Sequence, residues 1–135
     1  GPRRPGRAAT CRALRTHRPG VPMSRFHLTL AQALSQMPGP YKDHYAVLLE
    51  HGTLEVGLYA PRKTDPQTPH TRDEVYVVMR GSGWFRNGED RMAFGPGDVL
   101  FVPARREHRF EDFTDDLTLW VFFYGPEGGE VGGQL

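Results

Sequence analysis

The sequence predicts an all-β protein, an antiparallel sandwich or barrel with one short helix near its N-terminus. Three observations carry this. From about residue 45 onward, apolar residues recur at every second position in short runs; glycine and proline, 16 and 12 of 135 residues, punctuate those runs; and the one stretch with helical spacing lies ahead of them. Strand side chains alternate between faces, whereas helical ones meet every third or fourth position. About eight short strands joined by close-set turns is the sequence form of a closed or two-layered β structure. A chain of this length buries one core, not two.

Residues 1–22 carry Arg3, Arg4, Arg7, Arg12, Arg15 and Arg18 with no acidic residue, while the remainder holds eleven Lys or Arg against sixteen Asp or Glu, a net charge of −5. Basic, acid-poor composition suits a nucleic-acid arm or a targeting segment, but prolines 2, 5, 19 and 22 interrupt any amphipathic helix. The tail is therefore expected to be disordered, with nucleic acid not a partner, and the domain is expected to span 23–135. "HLTLAQALSQM", residues 27–37, places Leu30, Leu34 and Met37 at helical spacing, and Pro38-Gly39-Pro40 ends the segment. "HYAVLLEHGTLEVGLYAP" reads as two strands meeting near His51-Gly52, the second alternating Leu54, Val56 and Leu58 against Glu55 and Gly57. A Pro-, Asp- and Thr-rich loop covers 61–69, and a strand runs from Glu74 to Arg80 and stops at Gly81. "GWFRNGEDRMAF" is a hairpin, with Asn87-Gly88 expected as the central pair of a type I′ turn. "DVLFVP", "HRFEDF" and "LTLWVFFYG" supply the remaining strands.

Composition also excludes chemistries. Cys11 is the sole cysteine, so an internal disulfide and a thiolate metal cluster are both ruled out. Any metal must be held by nitrogen and oxygen. No apolar run reaches the roughly 18 residues that span a bilayer, and no signal-peptide pattern is present, so the expectation is a soluble cytoplasmic protein without membrane contact. None of the glycine-rich loops has the strand-to-helix setting or the lysine of a phosphate cradle.

The chemistry concentrates in "QTPHTRDEVYVVMRG", residues 67–81. Even spacing puts Thr68, His70, Glu74, Tyr76 and Val78 on one face of an extended chain, yet His70 and Glu74 would then stand about 13 Å apart. A bend near Arg72 is needed to bring them to one ion, as bulges do beside active sites. His108 is the best third ligand; on "HRFEDF" it shares a face with Phe110 and Asp112. Two neutral imidazoles and one carboxylate, with positions left open, suit Fe(II) and also accommodate Mn, Ni, Co or Zn. Tyr76, Phe110, Trp120 and Phe122 are expected to line the pocket or the core. His17, His27, His44 and His51 are assigned no role.

These residues resemble a small single-domain cupin, whose two motifs run G-x5-H-x-H-x3–4-E-x6-G and G-x5-P-x-G-x2-H-x3-N. His70, Glu74 and Gly81 match the later half of the first; Gly97, Pro103 and His108 match the second; the likeness extends from Tyr45 to Tyr124. The departures are Thr68 at the first histidine, Arg62 and Arg105 at glycines, and Asp112 at the asparagine. The resemblance implies a double-stranded β-helix, or jelly-roll barrel, with one divalent transition metal (Fe, Mn, Ni or Zn) on His70, Glu74 and His108. Gln67 or Thr68 would offer a weak further oxygen ligand, or water would fill the place, and Thr68 would lie in the ligand pocket. It further implies a small-molecule substrate, homodimerisation, and dioxygenase or isomerase chemistry. The alternative it leaves is a non-enzymatic ligand-binding module with a degenerate or empty metal site.

Overall fold

In the computed structural model, which describes residues 26–37 and 44–131, one short helix precedes eight antiparallel strands. The tail at 1–22, Cys11 and the Pro38-Gly39-Pro40 stop lie outside the described residues. Helix α1 is Leu30–Leu34, shorter than the 27–37 expected. Thr29 caps it: its hydroxyl accepts from Gln32 N at 3.1 Å, while Gln32 Oε1 accepts from Thr29 N at 3.3 Å. Such a reciprocal box satisfies backbone donors that a helix start leaves orphaned. The apolar spacing is real all the same, since Leu28, Leu30, Leu34 and Met37 all pack on the outer face of a sheet.

The strands are β1 (Tyr45–His51), β2 (Leu54–Tyr59), β3 (Asp73–Arg80), β4 (Gly83–Asn87), β5 (Asp90–Phe94), β6 (Val99–Val102), β7 (His108–Glu111) and β8 (Thr118–Tyr124). They form a five-stranded sheet, β1-β2-β8-β3-β6, and a three-stranded sheet, β5-β4-β7. Among the described residues this is the mostly β, one-helix architecture expected, two antiparallel sheets consistent with the double-stranded β-helix. The β4–β5 hairpin forms with its turn one residue later than expected. Asn87 pairs with Asp90, so Gly88-Glu89 is the loop, and the positive φ falls on Gly88 (63°), as at the first position of a type II′ turn. The expected strand at "HRFEDF" ends at Glu111; Asp112 takes a left-handed φ of 49° and its exposed carboxylate meets Arg91, so it does not share the face of His108.

The main core lies between the sheets. Tyr59, Tyr76, Val78, Leu119, Val121 and Phe123 from the larger sheet meet Phe85, Phe94 and Phe110 from the smaller. Aromatic rings meet edge-on or tilted, as at Tyr76 and Phe110, whose centroids are 5.0 Å apart. A second cluster of Ala33, Ala46, Leu48 and Leu58, with Trp120 against it, lies beneath α1. Trp120 therefore belongs to the outer face. Cross-strand pairing aligns two apolar rows on that face, Val56, Phe122, Val75 and Phe101 in one and Leu58, Trp120, Val77 and Val99 in the other.

Candidate metal centre

Glu74 lies on β3, the strand that pairs with both β8 and β6, where it faces Phe123 on one side and Val102 on the other. Its side chain shares the inward phase of Tyr76 and Val78. His108 opens β7, opposite Asn87 of β4, with its ring wholly inside the core. Two sheets therefore deliver a carboxylate and an imidazole to one interior point. The turn before His108 carries Arg105 at φ 66°, a left-handed conformation that costs a residue with a Cβ about 1–2 kcal/mol. It is held by the Arg105 N–H donating to the His70 carbonyl at 2.5 Å, which ties the two histidine-bearing segments together.

His70 does not lie on a strand. β3 begins only at Asp73, and the chain bends through residues 71 and 72. That bend is the one the spacing demanded: His70 Nε2 stands 3.7 Å from Glu74 Oε1, and His108 Nε2 stands 3.2 Å from the same oxygen. Among the described residues these three side chains form a group whose ligand atoms all lie within 4.8 Å of one another. Donor atoms around a first-row ion, at about 2.1 Å from it, lie roughly 3.0–3.4 Å apart.

The electrostatics give the geometry its meaning. His108 Nδ1 faces the Arg106 carbonyl at 2.9 Å, so in the neutral ring Nδ1 carries the proton and Nε2 is left as an acceptor. That acceptor points at a carboxylate oxygen, and among the described residues neither His108 Nε2 nor Glu74 Oε1 has a hydrogen-bond partner although both are buried. Two buried lone pairs facing each other require a proton or a cation between them. Burial opposes protonation of His108, but the Glu74 carboxylate and the Arg106 carbonyl outweigh it and raise its pKa above 6.5. Burial lowers that of His70, where the attraction of Glu74 is insufficient to compensate. The residues present thus fit a divalent transition metal: two imidazole nitrogens and one carboxylate oxygen, converging with no cationic side chain of the described residues between them.

A buried aspartate unassigned by the sequence organises the loop side. Asp65 accepts from Tyr59 Oη at 2.5 Å, from the Phe110 N–H at 2.8 Å and from Gln67 Nε2 at 2.9 Å. Because the Gln67 amide nitrogen faces that carboxylate, its carbonyl must face the site. There Gln67 Oε1 accepts from Tyr76 Oη at 2.9 Å and lies 3.2 Å from His70 Nε2. Burial drives the Tyr76 pKa well above 10.0, so its hydroxyl is a proton donor.

A cavity of about 160 Å³ opens beside this cluster, walled by Tyr45, Tyr59, Tyr76, Val121 and Phe123, with Pro66, Gln67 and Thr68 at the loop side. Thr68 and Tyr76 both line this cavity. Of the two places expected for it, Phe110 takes the core, buried against Phe85 with 4.7 Å between centroids. Trp120 and Phe122 are displaced by one residue of strand phase, since the inward positions of β8 are Val121 and Phe123. An all-apolar strand covered on both faces has no alternation to fix its phase. Tyr45 and Tyr59 show only in the register that pairs them across β1 and β2.

Comparison with known proteins agrees with this architecture. The model of the cupin domain family matches residues 56–124. An uncharacterized protein of Streptomyces coelicolor is 38% identical over 85 residues, 62% of this chain and 81% of that protein. Among solved structures, a cupin 2 conserved barrel domain protein from Rhodopseudomonas palustris superposes with a TM-score of 0.53 at 18% identity, covering 62% of this chain and 61% of the other. A cupin protein from Bacteroides fragilis gives 0.51 at 17% identity, over 70% and 86% of the two chains. At such identities these structures speak to the fold alone.

Proposed function

The chain belongs to the cupin family, and from that premise we propose that His70, Glu74 and His108 hold one divalent transition metal beside a pocket for a small organic molecule, acted on by metal-dependent dioxygenation. The observation that carries this reading is the facing of His108 Nε2 and Glu74 Oε1, two buried acceptors 3.2 Å apart with no donor among the described residues between them. When bound, the ion supplies Lewis acidity and, if redox-active, oxygen activation; two histidines and a carboxylate with open positions are the donor set of non-haem Fe(II) oxygenases.

The remaining work falls to the chain's own side chains. Tyr45, Tyr59, Tyr76 and Phe123 give the pocket flat aromatic walls, which orient a planar body and keep water from it. About 160 Å³ matches a single ring, since a cavity of about 150 Å³ accepts benzene. No Lys or Arg is among the lining residues, so the bound ion would be the sole counter-charge, too little for a polyanion. The fitting substrate is a neutral or singly charged phenol or enol.

The homodimer implied by the resemblance would use the part of the larger sheet's outer face that α1 leaves uncovered, at the β3–β6 end where Val99 is 65% exposed. Elemental analysis of protein purified without chelators tests the central reading: close to one transition metal per chain is expected. A failure to take up Fe(II), Mn(II), Ni(II) or Zn(II) stoichiometrically after loading would end it and favour a metal-free binding module. Oxygen consumption with a panel of phenols and enols then tests the reaction.

A further inference from the structure

We propose that the side-chain carbonyl of Gln67 is a fourth, neutral oxygen donor of this centre, standing in for the histidine that Thr68 replaces, and that Asp65 positions it. The inference rests on reading His70, Glu74 and His108 as a metal site. Thr68 itself is poorly suited, being exposed at the pocket mouth. Gln67 is half-buried, lines the same cavity, and its oxygen is aimed inward by chemistry rather than by chance.

The orientation follows from the partners. Gln67 Nε2 donates to Asp65 Oδ2, and a flipped amide would set its oxygen against that carboxylate and its nitrogen against His70. Asp65 cannot swing away, because Tyr59 and the backbone of Phe110 also donate to it. Tyr76 occupies one lone pair of Gln67 Oε1 and leaves the other facing His70 Nε2. The successive separations, 3.2 Å from Gln67 Oε1 to His70 Nε2, 3.7 Å to Glu74 Oε1 and 3.2 Å to His108 Nε2, form a run of four acceptors, of which Gln67, His70 and Glu74 line the same cavity. Those spacings are close to those of neighbouring donors about a first-row ion. In the metal-free protein His70 can place its proton on Nε2 and donate to Gln67; coordination needs that proton on Nδ1 instead. Gln67 is then either a ligand or a competitor that holds His70 in the wrong tautomer, and the two roles have opposite consequences.

Co(II) titration of the full-length protein, followed by its visible absorption, separates them. Gln67→Ala and the size-matched Gln67→Met should each weaken Co(II) binding about tenfold or more and change the visible bands, because a carbonyl donor has been lost. Thermal melts of the metal-free variants confirm that the fold is intact. Thr68→Ala should bind Co(II) like wild type. Asp65→Asn should move the bands in the direction of the Gln67 variants, and unmoved bands would remove Asp65 from the proposal. Unchanged or tighter binding by both Gln67 variants, with wild-type bands, overturns the inference and leaves the three-residue site standing. No stoichiometric Co(II) on wild type overturns both.

Discussion

The two sides of the centre are built differently. Glu74 and His108 are delivered by opposite sheets, their side chains 2% and 0% exposed, and the Arg106 carbonyl settles the His108 tautomer. His70 and Gln67 come from the loop before β3; His70 is 32% exposed and its coordinating nitrogen already faces the Gln67 carbonyl. One side is preorganised by the same packing that makes the core. The other must exchange a partner before it can bind an ion. The fold therefore sets whether a site exists, and the loop tunes how tightly it holds.

The largest expected effect removes the one anion that both sides share. Glu74→Gln should weaken Co(II) binding by more than about 100-fold, since even a residue that merely supports a ligand is worth about 10 to 100. The same change leaves the metal-free fold stable, because the amide introduced in place of the carboxylate can donate to His108 Nε2 where now two acceptors meet. Titration and urea denaturation check the two halves of this expectation. Stoichiometric, tight Co(II) on the variant would mean that the carboxylate is not a ligand.

Next come the two histidines. Either alanine variant should lose metal, but the metal-free proteins should differ. His108→Ala empties a ring-sized space among Tyr76, Phe85 and His70 and should cost about 2–4 kcal/mol. His70→Ala, at the pocket edge, should cost under about 1 kcal/mol. Urea denaturation with a chelator present measures both, and equal losses would erase the distinction between the sides. A smaller effect probes the rigid wall. A Cβ at Gly57 would lie 2.5 Å from the Tyr45 ring, so Gly57→Ala should destabilise by about 1–3 kcal/mol or drive Tyr45 into the pocket, which a crystal structure of the variant would reveal.

The same contrast explains what could be read in the sequence. The strand-held candidate ligands were legible because period-two alternation assigned the faces of β3 and β7, putting Glu74 with Tyr76 and His108 with Phe110. The need for a bend at Arg72 followed from strand rise alone. The loop was opaque: nothing in "TDPQTPH" says that Asp65 folds inward, because the Phe110 amide lies 45 residues on and meets it, beside the Tyr59 hydroxyl, only once both sheets exist. The β8 phase was lost for the opposite reason. "TLWVFFY" is apolar from Leu119 to Phe123 and its outer face is covered in part by α1, so its residues did not declare which of them face the pocket.

The smallest effect separates the sides by their response to pH in metal-free protein. His108 has its pKa raised above 6.5 despite burial, through Glu74 and the Arg106 carbonyl, so between 6.5 and that higher value the folded state binds more protons than the unfolded. Its stabilising contribution is complete below 6.5 and is lost as pH rises through the folded pKa. His70 is lowered by burial, so the folded state binds fewer protons between its value and 6.5; its contribution is present above 6.5 and is lost as pH falls through the folded pKa. Thermal midpoints of wild type minus His108→Gln should therefore fall as pH rises above 6.5, whereas wild type minus His70→Ala should rise as pH climbs toward 6.5. Each change should amount to a few degrees at most, roughly. Subtraction cancels the groups common to both proteins, so the sign alone decides. If both differences move the same way, the two imidazoles sense Glu74 alike, and the separation into a fixed and an adjustable side has no electrostatic basis.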